Sequence, residues 1–163
     1  MNLISEIRDL NNSFIKANEF YEKTLINIKS EARDGNFFIL AYSIMKEEVS
    51  KIVKEKFIDD GFKVIIEPDM SGDINYKTIF RITWNDSRPG TVAYDLSQEV
   101  INIKRIEAKK LKIASILEDR FSKTLRKYVI LESSLIDDDT LQILRSEGFF
   151  VEYTEDNSYK ISI

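Results

Sequence analysis

The sequence predicts an α+β fold made of two tandem helix-strand-helix-strand-strand repeats, with small antiparallel or mixed sheets, two long helices and pseudo-twofold symmetry. Three observations predict it: a block that recurs, apolar spacing that switches between helical and alternating periods, and a Gly-Phe pair that punctuates both halves. Phe37-Phe38-Ile39-Leu40-Ala41-Tyr42-Ser43-Ile44 reads like Tyr128-Val129-Ile130-Leu131-Glu132-Ser133-Ser134-Leu135. The Gly-Phe pairs are Gly61-Phe62 and Gly148-Phe149, and the halves close on Phe80-Arg81-Ile82-Thr83-Trp84 and Tyr159-Lys160-Ile161-Ser162-Ile163. On this alignment the first strand is displaced by 91 residues (Phe37 to Tyr128), the Gly-Phe pair by 87 (Gly61 to Gly148) and the last strand by 79 (Phe80 to Tyr159). The second copy is then four residues shorter before its Gly-Phe pair, about one helical turn, which leaves an apolar face in phase. Eight more are missing around Glu67 to Asp73, whose turn composition tolerates deletion.

The elements follow in order. Leu3, Ile7, Leu10, Phe14, Ala17, Tyr21, Thr24 and Ile28 alternate in steps of four and three, the spacing of a coiled-coil seam, and predict a long first helix ending near Gly35. Phe37 to Tyr42 reads as a short strand, Ser43 as an N-cap, Met45 to Asp60 as a helix and Gly61 as its stop. Strands at Phe62 to Glu67 and Tyr76 to Trp84 complete a first repeat spanning 1–84. The breakers of Asn85-Asp86-Ser87-Arg88-Pro89-Gly90 place a linker at 85–92. The second repeat, 93–163, has a long helix from about Tyr94 to Leu125 and a strand at Tyr128 to Glu132. A helix then starts after Ser134, which has capping-box spacing to Asp137, and Phe149 to Thr154 with Ser158 to Ile163 form a closing hairpin. Neither half is large, so a shared core or packing through the long helices is expected.

Composition bounds the class. The chain has 163 residues, 43% hydrophobic and 32% charged, with a net charge of −4, enough for an ordinary core without a metal or disulfide. With no Cys and no His, disulfides, thiolate chemistry and the commonest acid/base group are excluded. No apolar run approaches a membrane span, and the first residues lack the basic and apolar regions of a signal peptide.

Charge is segregated along the chain. From Ile101 to Lys127 nine basic residues, among them Lys104, Arg105, Lys109 and Lys112, stand against three acidic ones. From Tyr128 onward eight acidic residues, including Asp137, Asp138 and Asp139, stand against Arg145 and Lys160. A basic helix and an acidic lobe could pair head to tail between copies, although a solvated helix face beside an acidic surface is the plainer reading. Glu107 interrupts the basic run and no binding motif surrounds it, so nucleic acid is not the favoured partner. An acidic DNA mimic is countered by the preference of a first helical turn for carboxylates.

Catalytic patterns are absent from the sequence: no Gly-rich phosphate loop, nucleophile elbow or paired general acid and base is visible. Asp137 to Asp139 could face a divalent cation, but adjacent side chains at a helix start fan apart. Asp69, Ser71 and Asp73 imitate a calcium loop that fails at Ile74 and Phe80, where Gly and Glu are needed. Trp84, Phe37, Phe38, Tyr42, Phe62 and Phe80 could stack a ligand, with core packing the favoured reading. The Leu3 to Ile28 seam suits its own chain and another copy equally.

The helix ending Ala32-Arg33-Asp34-Gly35, the apolar strand, the charged helix, Gly-Phe-x-Val at Gly61 to Val64 and Gly148 to Val151, and the ending Ile82-Thr83-Trp84 together resemble small duplicated α/β proteins of tailed bacteriophages. The second copy departs from that pattern, with no Ala-Arg-Asp-Gly ending and Ile163 in place of Trp84. The resemblance implies a virion component or a host-takeover factor. The duplicated scaffold, the coiled-coil seam, the segregated charge and the absence of catalytic side chains favour a non-enzymatic virion structural or assembly protein acting through protein interfaces, made in the host cytoplasm, with itself or other phage proteins as partners and no cofactor, metal or membrane. The alternative is an early protein that inhibits a host enzyme or nucleic-acid machinery through its acidic lobe. The candidate interface residues are Leu3, Ile7, Leu10, Phe14, Lys104, Arg105, Lys109, Lys112, Asp137, Asp138 and Asp139. A ligand cleft between the repeats is a third reading.

Overall fold

The computed structural model describes residues 3–68 and 78–163, an α+β arrangement of four α-helices and two small antiparallel sheets among those residues. The order is α1 (Leu3–Arg33), β1 (Phe38–Ser43), α2 (Glu47–Asp59), β2 (Lys63–Pro68), β3 (Thr78–Thr83), α3 (Val92–Ser122), β4 (Tyr128–Glu132), α4 (Asp138–Ser146), β5 (Phe150–Thr154) and β6 (Ser158–Ser162). A single 3-10 turn, Ser133–Leu135, precedes α4. The calcium-like Asp69, Ser71 and Asp73, and the expected strand start at Tyr76, lie outside the described residues. Among the described residues no helix is long and apolar enough to cross a membrane.

The chain divides into two compact units, Met1–Ile103 and Lys104–Ile163, so the division falls inside α3 and not in the 85–92 linker. Burial explains the shift. Ala93, Leu96 and Val100 of α3 share a core with Phe57, Phe62 and Trp84, whereas Ile113 and Leu117 share one with Val129, Leu131 and Ile161. The Ala93 amide also donates to the Asp60 carbonyl at 3.0 Å, tying the start of α3 to the end of α2.

In unit 1 the strand order is β1-β3-β2. One face carries Ile39, Ile82 and Val64 in one row and Ala41, Phe80 and Ile66 in the next, and these pack in the core. An aromatic series runs through that core, with ring centroids 4.7 Å apart for Tyr21 and Phe57, 5.6 Å for Phe57 and Phe62, and 6.3 Å for Phe62 and Trp84. Phe62, Phe80 and Trp84 are thus core residues, but Phe38 and Tyr42 alternate to the opposite face and are exposed.

Unit 2 repeats the strand order as β4-β6-β5. Its hydrogen-bond register corrects the alignment of the first strands. Phe38 pairs with Thr83 and Tyr128 with Ser162, so β1 and β4 are displaced by 90 residues (Phe38 to Tyr128) and not 91. Burial agrees: Ile39 and Val129 point inward, Leu40 and Ile130 outward. Pairing Ile39 with Ile130 puts one strand a residue out of phase, which exchanges its faces.

Helix ends account for the remaining differences. Gly61 and Gly148 follow α2 and α4 with φ of +88° and +90°. Phe62 N donates to Phe57 O at 2.9 Å and Phe149 N to Leu144 O at 3.0 Å, the six-to-one bond of a Schellman stop. The N-termini differ from expectation. Ser43 ends β1, and α2 begins after Lys46 with no side-chain cap. Ser134 lies in the 3-10 turn, and the cap of α4 is Asp137, which accepts from the Thr140 amide at 2.9 Å and the Thr140 hydroxyl at 2.7 Å.

Candidate functional site

The candidate interface residues fall into two groups, one in each unit. In unit 2, α3 runs beside the start of α4, and the opposite charges that were far apart in sequence meet. Lys109 donates to Asp137 at 2.5 Å and to Asp139 at 2.6 Å, Arg105 pairs with Asp139 at 2.9 Å, and Lys110 pairs with Glu147 at 2.6 Å. On the sheet Lys160 meets Glu152 at 3.1 Å. The Lys109 side chain is only 25% exposed, its stem covered and its ammonium reaching the carboxylates. Hydrogen bonds from Lys109, then from the Thr140 hydroxyl and amide, hold the Asp137 carboxyl well below the usual range. Lys109 likewise lowers Asp139, with Arg105 assisting, and is itself raised by Asp137 and Asp139. Asp138 is exposed in the first turn of α4, where its charge favours the helix dipole. Lys104 and Lys112 are exposed on α3, and Lys112 borders a shallow concavity of about 160 Å³ with Lys109, Ser134 and Thr140.

This arrangement binds the unit to itself. Asp137 is occupied by Lys109 and by its capping bonds, and Asp139 by Lys109 and Arg105. Among the described residues no three His, Cys, Asp or Glu side chains converge as a metal-binding group would.

The second group lies on α1. This helix has 31 residues, about 46 Å at 1.5 Å per residue, against 13 residues and about 20 Å for α2. Its seam therefore divides. Ala17, Tyr21, Thr24, Ile28 and Ala32 are buried, and the Tyr21 hydroxyl donates to Asp60. Ile7, Leu10 and Phe14 continue the same spacing but are 58%, 58% and 51% exposed, and Leu3 stands in the first turn. Beside this stretch an open groove of about 1140 Å³ separates α1 from the β1–α2 connection, with Leu10, Phe20, Ile44 and Met45 among its apolar lining. Its charged lining mixes Lys16, Lys23 and Lys46 with Asp9, Glu19 and Glu48, so it selects no ligand by charge.

A further exposed surface escaped the sequence reading. The outer face of the first sheet presents Phe38, Leu40 and Tyr42 on the edge strand β1 and Ile65 on β2. Its signal was present: Phe37 to Met45 contains no charged residue, so both faces of β1 are apolar, whereas a strand with one wet face alternates. The other edge of that sheet, β2, carries Lys63, Glu67 and Pro68, the residue types that discourage further pairing. No protein-family model, no curated protein and no solved structure matches this chain.

Proposed function

We propose that this chain is a non-enzymatic protein-interaction component, a structural or assembly protein of a tailed-bacteriophage virion. The observation that carries the reading is the pattern of exposed large apolar side chains on two elements of unit 1, Ile7, Leu10 and Phe14 at seam spacing on α1 and Phe38, Leu40 and Tyr42 alternating along the edge strand β1. Exposed apolar side chains gathered along one helix face or one strand edge mark sites where a protein meets another. The phage assignment rests on the resemblance of the strand, Gly-Phe-x-Val and Ile-Thr-Trp blocks. The common strand order of the two sheets supports a duplicated building block. The competing reading, an inhibitor acting through an acidic lobe, is weakened because Asp137, Asp139, Glu147 and Glu152 already meet lysine or arginine.

The test is to purify particles of a phage that encodes the chain and to quantify the chain by mass spectrometry after a high-salt wash. A fixed copy number per particle supports the reading. Absence from particles, with the chain recovered free or on a host enzyme, overturns it.

A further inference from the structure

We propose that the open edge of β1 is a self-association surface, and that its occupant is β1 of a second copy, added antiparallel about a twofold axis at Leu40. The proposal rests on the protein-interaction reading above and names its surface and partner.

The backbone selects a strand. Trp84 N donates to Phe37 O at 3.1 Å, so Phe37 and, two and four residues on, Ile39 and Ala41 turn their main-chain groups towards β3. Phe38, Leu40 and Tyr42 therefore turn their N–H and C=O groups away from β3, and among the described residues no strand lies beyond them. The same three residues carry the exposed side chains of β1, while Ile39 and Ala41 face the unit 1 core. A row of outward amides and carbonyls accepts an extended chain. A helix satisfies its main chain within itself and cannot pair with such a row.

The side chains select a second copy, because β1 complements itself. In the twofold register Leu40 lies opposite Leu40, and Phe38 of each copy lies opposite Tyr42 of the other. Each of these pairs exchanges two main-chain bonds, so every outward group of the three residues is satisfied. On the outer face aromatic meets aromatic on both sides of the leucines, a cross-strand pairing that stabilises sheets. On the core face Ile39 lies opposite Ala41, a large side chain against a small one. No charged residue stands between Phe37 and Met45, so no like charges are opposed along the pairing. The other edges lack these properties. β2 turns Pro68, which has no N–H, to its open side, β5 would set Glu152 against Glu152 at its centre, and β4 brings Glu132 into the pairing. A dimer held by main-chain bonds between uncharged strands depends on concentration and is insensitive to salt.

The experiment measures the mass of the full chain by sedimentation equilibrium from about 1 to about 500 μM, a span covering micromolar and weaker association, at low and high salt. The expected mass rises from 19.0 kDa towards twice that value at both salts. Leu40→Pro removes an outward N–H and leaves the ladder to β3 intact, so it is expected to hold the chain at 19.0 kDa with unchanged circular dichroism. Because the chain has no cysteine, Leu40→Cys and Tyr42→Cys read the register directly. The twofold pairing brings the Leu40 Cα atoms of the two copies to about 5.5 Å, within disulfide reach, and leaves the Tyr42 Cα atoms about 14 Å apart. Under mild oxidation Leu40→Cys should therefore link into dimers and Tyr42→Cys should stay single. Should Leu40→Pro fail to fold, the cysteine comparison decides. A wild-type monomer throughout, which would leave the edge to a strand of another protein, overturns the proposal. A dimer that survives in folded Leu40→Pro, or equal linking at Leu40 and Tyr42, overturns it too. A monomer that is nonetheless found in particles sinks this edge and leaves the virion reading standing; a dimer absent from particles does the reverse.

Discussion

Gly61 and Gly148 close α2 and α4 with the same backbone conformation, yet alanine at the two positions should have different costs. Both have φ near +90°, where a side chain costs about 1–2 kcal/mol. Among the described residues a Cβ at Gly148 meets nothing within 4 Å, so Gly148→Ala should lose that amount and no more. At Gly61 the added carbon falls 2.7 Å from Thr91 Cβ and collides with the Thr91 hydroxyl. Rotating the side chain cannot remove the contact with Cβ, so the start of α3 must move. Thr91 is held there by its hydroxyl, which donates to Arg88 O at 2.7 Å and accepts from Tyr94 N at 3.3 Å. Overpacking adds about 1–3 kcal/mol, for a total near 2–5 kcal/mol. At a urea slope of about 1.5 kcal/mol/M, a loss of 3 kcal/mol lowers the midpoint by about 2 M. The assay is urea unfolding followed by Trp84 fluorescence for unit 1, where the chain's one tryptophan is buried, with circular dichroism for Gly148→Ala. In a Thr91→Gly background the cost of Gly61→Ala should fall to about 1–2 kcal/mol. Equal costs at Gly61 and Gly148, or no relief from Thr91→Gly, would refute the close approach of α2's end to the start of α3.

Other outcomes follow from the same structure. Asp137 and Asp139 have folded-state pKa values below their ordinary ones, so their contribution to unit 2 is present above about pH 4 and lost as pH falls. Acid titrations followed by circular dichroism should show that step, and Lys109→Met should flatten it. Burial first, and then the bond to Asp60, push the Tyr21 phenol well above its usual value, so the neutral form stabilises unit 1 up to about pH 10 and that contribution fades above it. Tyr21→Phe should remove this alkaline step in Trp84 fluorescence and cost about 1 kcal/mol at neutral pH. Among the described residues Trp84 Nε1 is buried without a hydrogen-bond partner, so Trp84→Phe should cost less than about 2 kcal/mol by urea titration, against about 3–5 kcal/mol for Phe80→Ala in the same core.

Local signals sufficed for the elements. Periodicity and glycine stops located the two long helices, the Gly-Phe turns and the short strands to within a few residues, because those signals act over one or two turns of chain. The α+β class followed from their order. Register did not, since Ile39 and Ile130 look alike in sequence and only pairing with β3 and β6 reveals that they face opposite ways. Caps were also decided by neighbours: Ser43 was drawn into β1 by its pairing with Thr78, and Asp137 prevailed over Ser134 because it could bond Thr140 and Lys109 together.

The candidate site divides along the same line. Residue types and their spacing determined that α1 carries an apolar seam and that the stretch from Ile101 to Lys127 and the one from Tyr128 onward have opposite charge. Tertiary structure decided what each of them faces. The seam is core where α2 and the sheet lie against it and exposed where α1 outruns them, a limit set by the lengths of separate elements. The charges of Arg105, Lys109 and Lys110 meet Asp137, Asp139 and Glu147 because the chain folds back through β4 before α4 begins, bringing together residues about thirty positions apart. Spacing along a chain fixes which side of one helix a residue occupies; which surface lies opposite depends on the path of the whole chain.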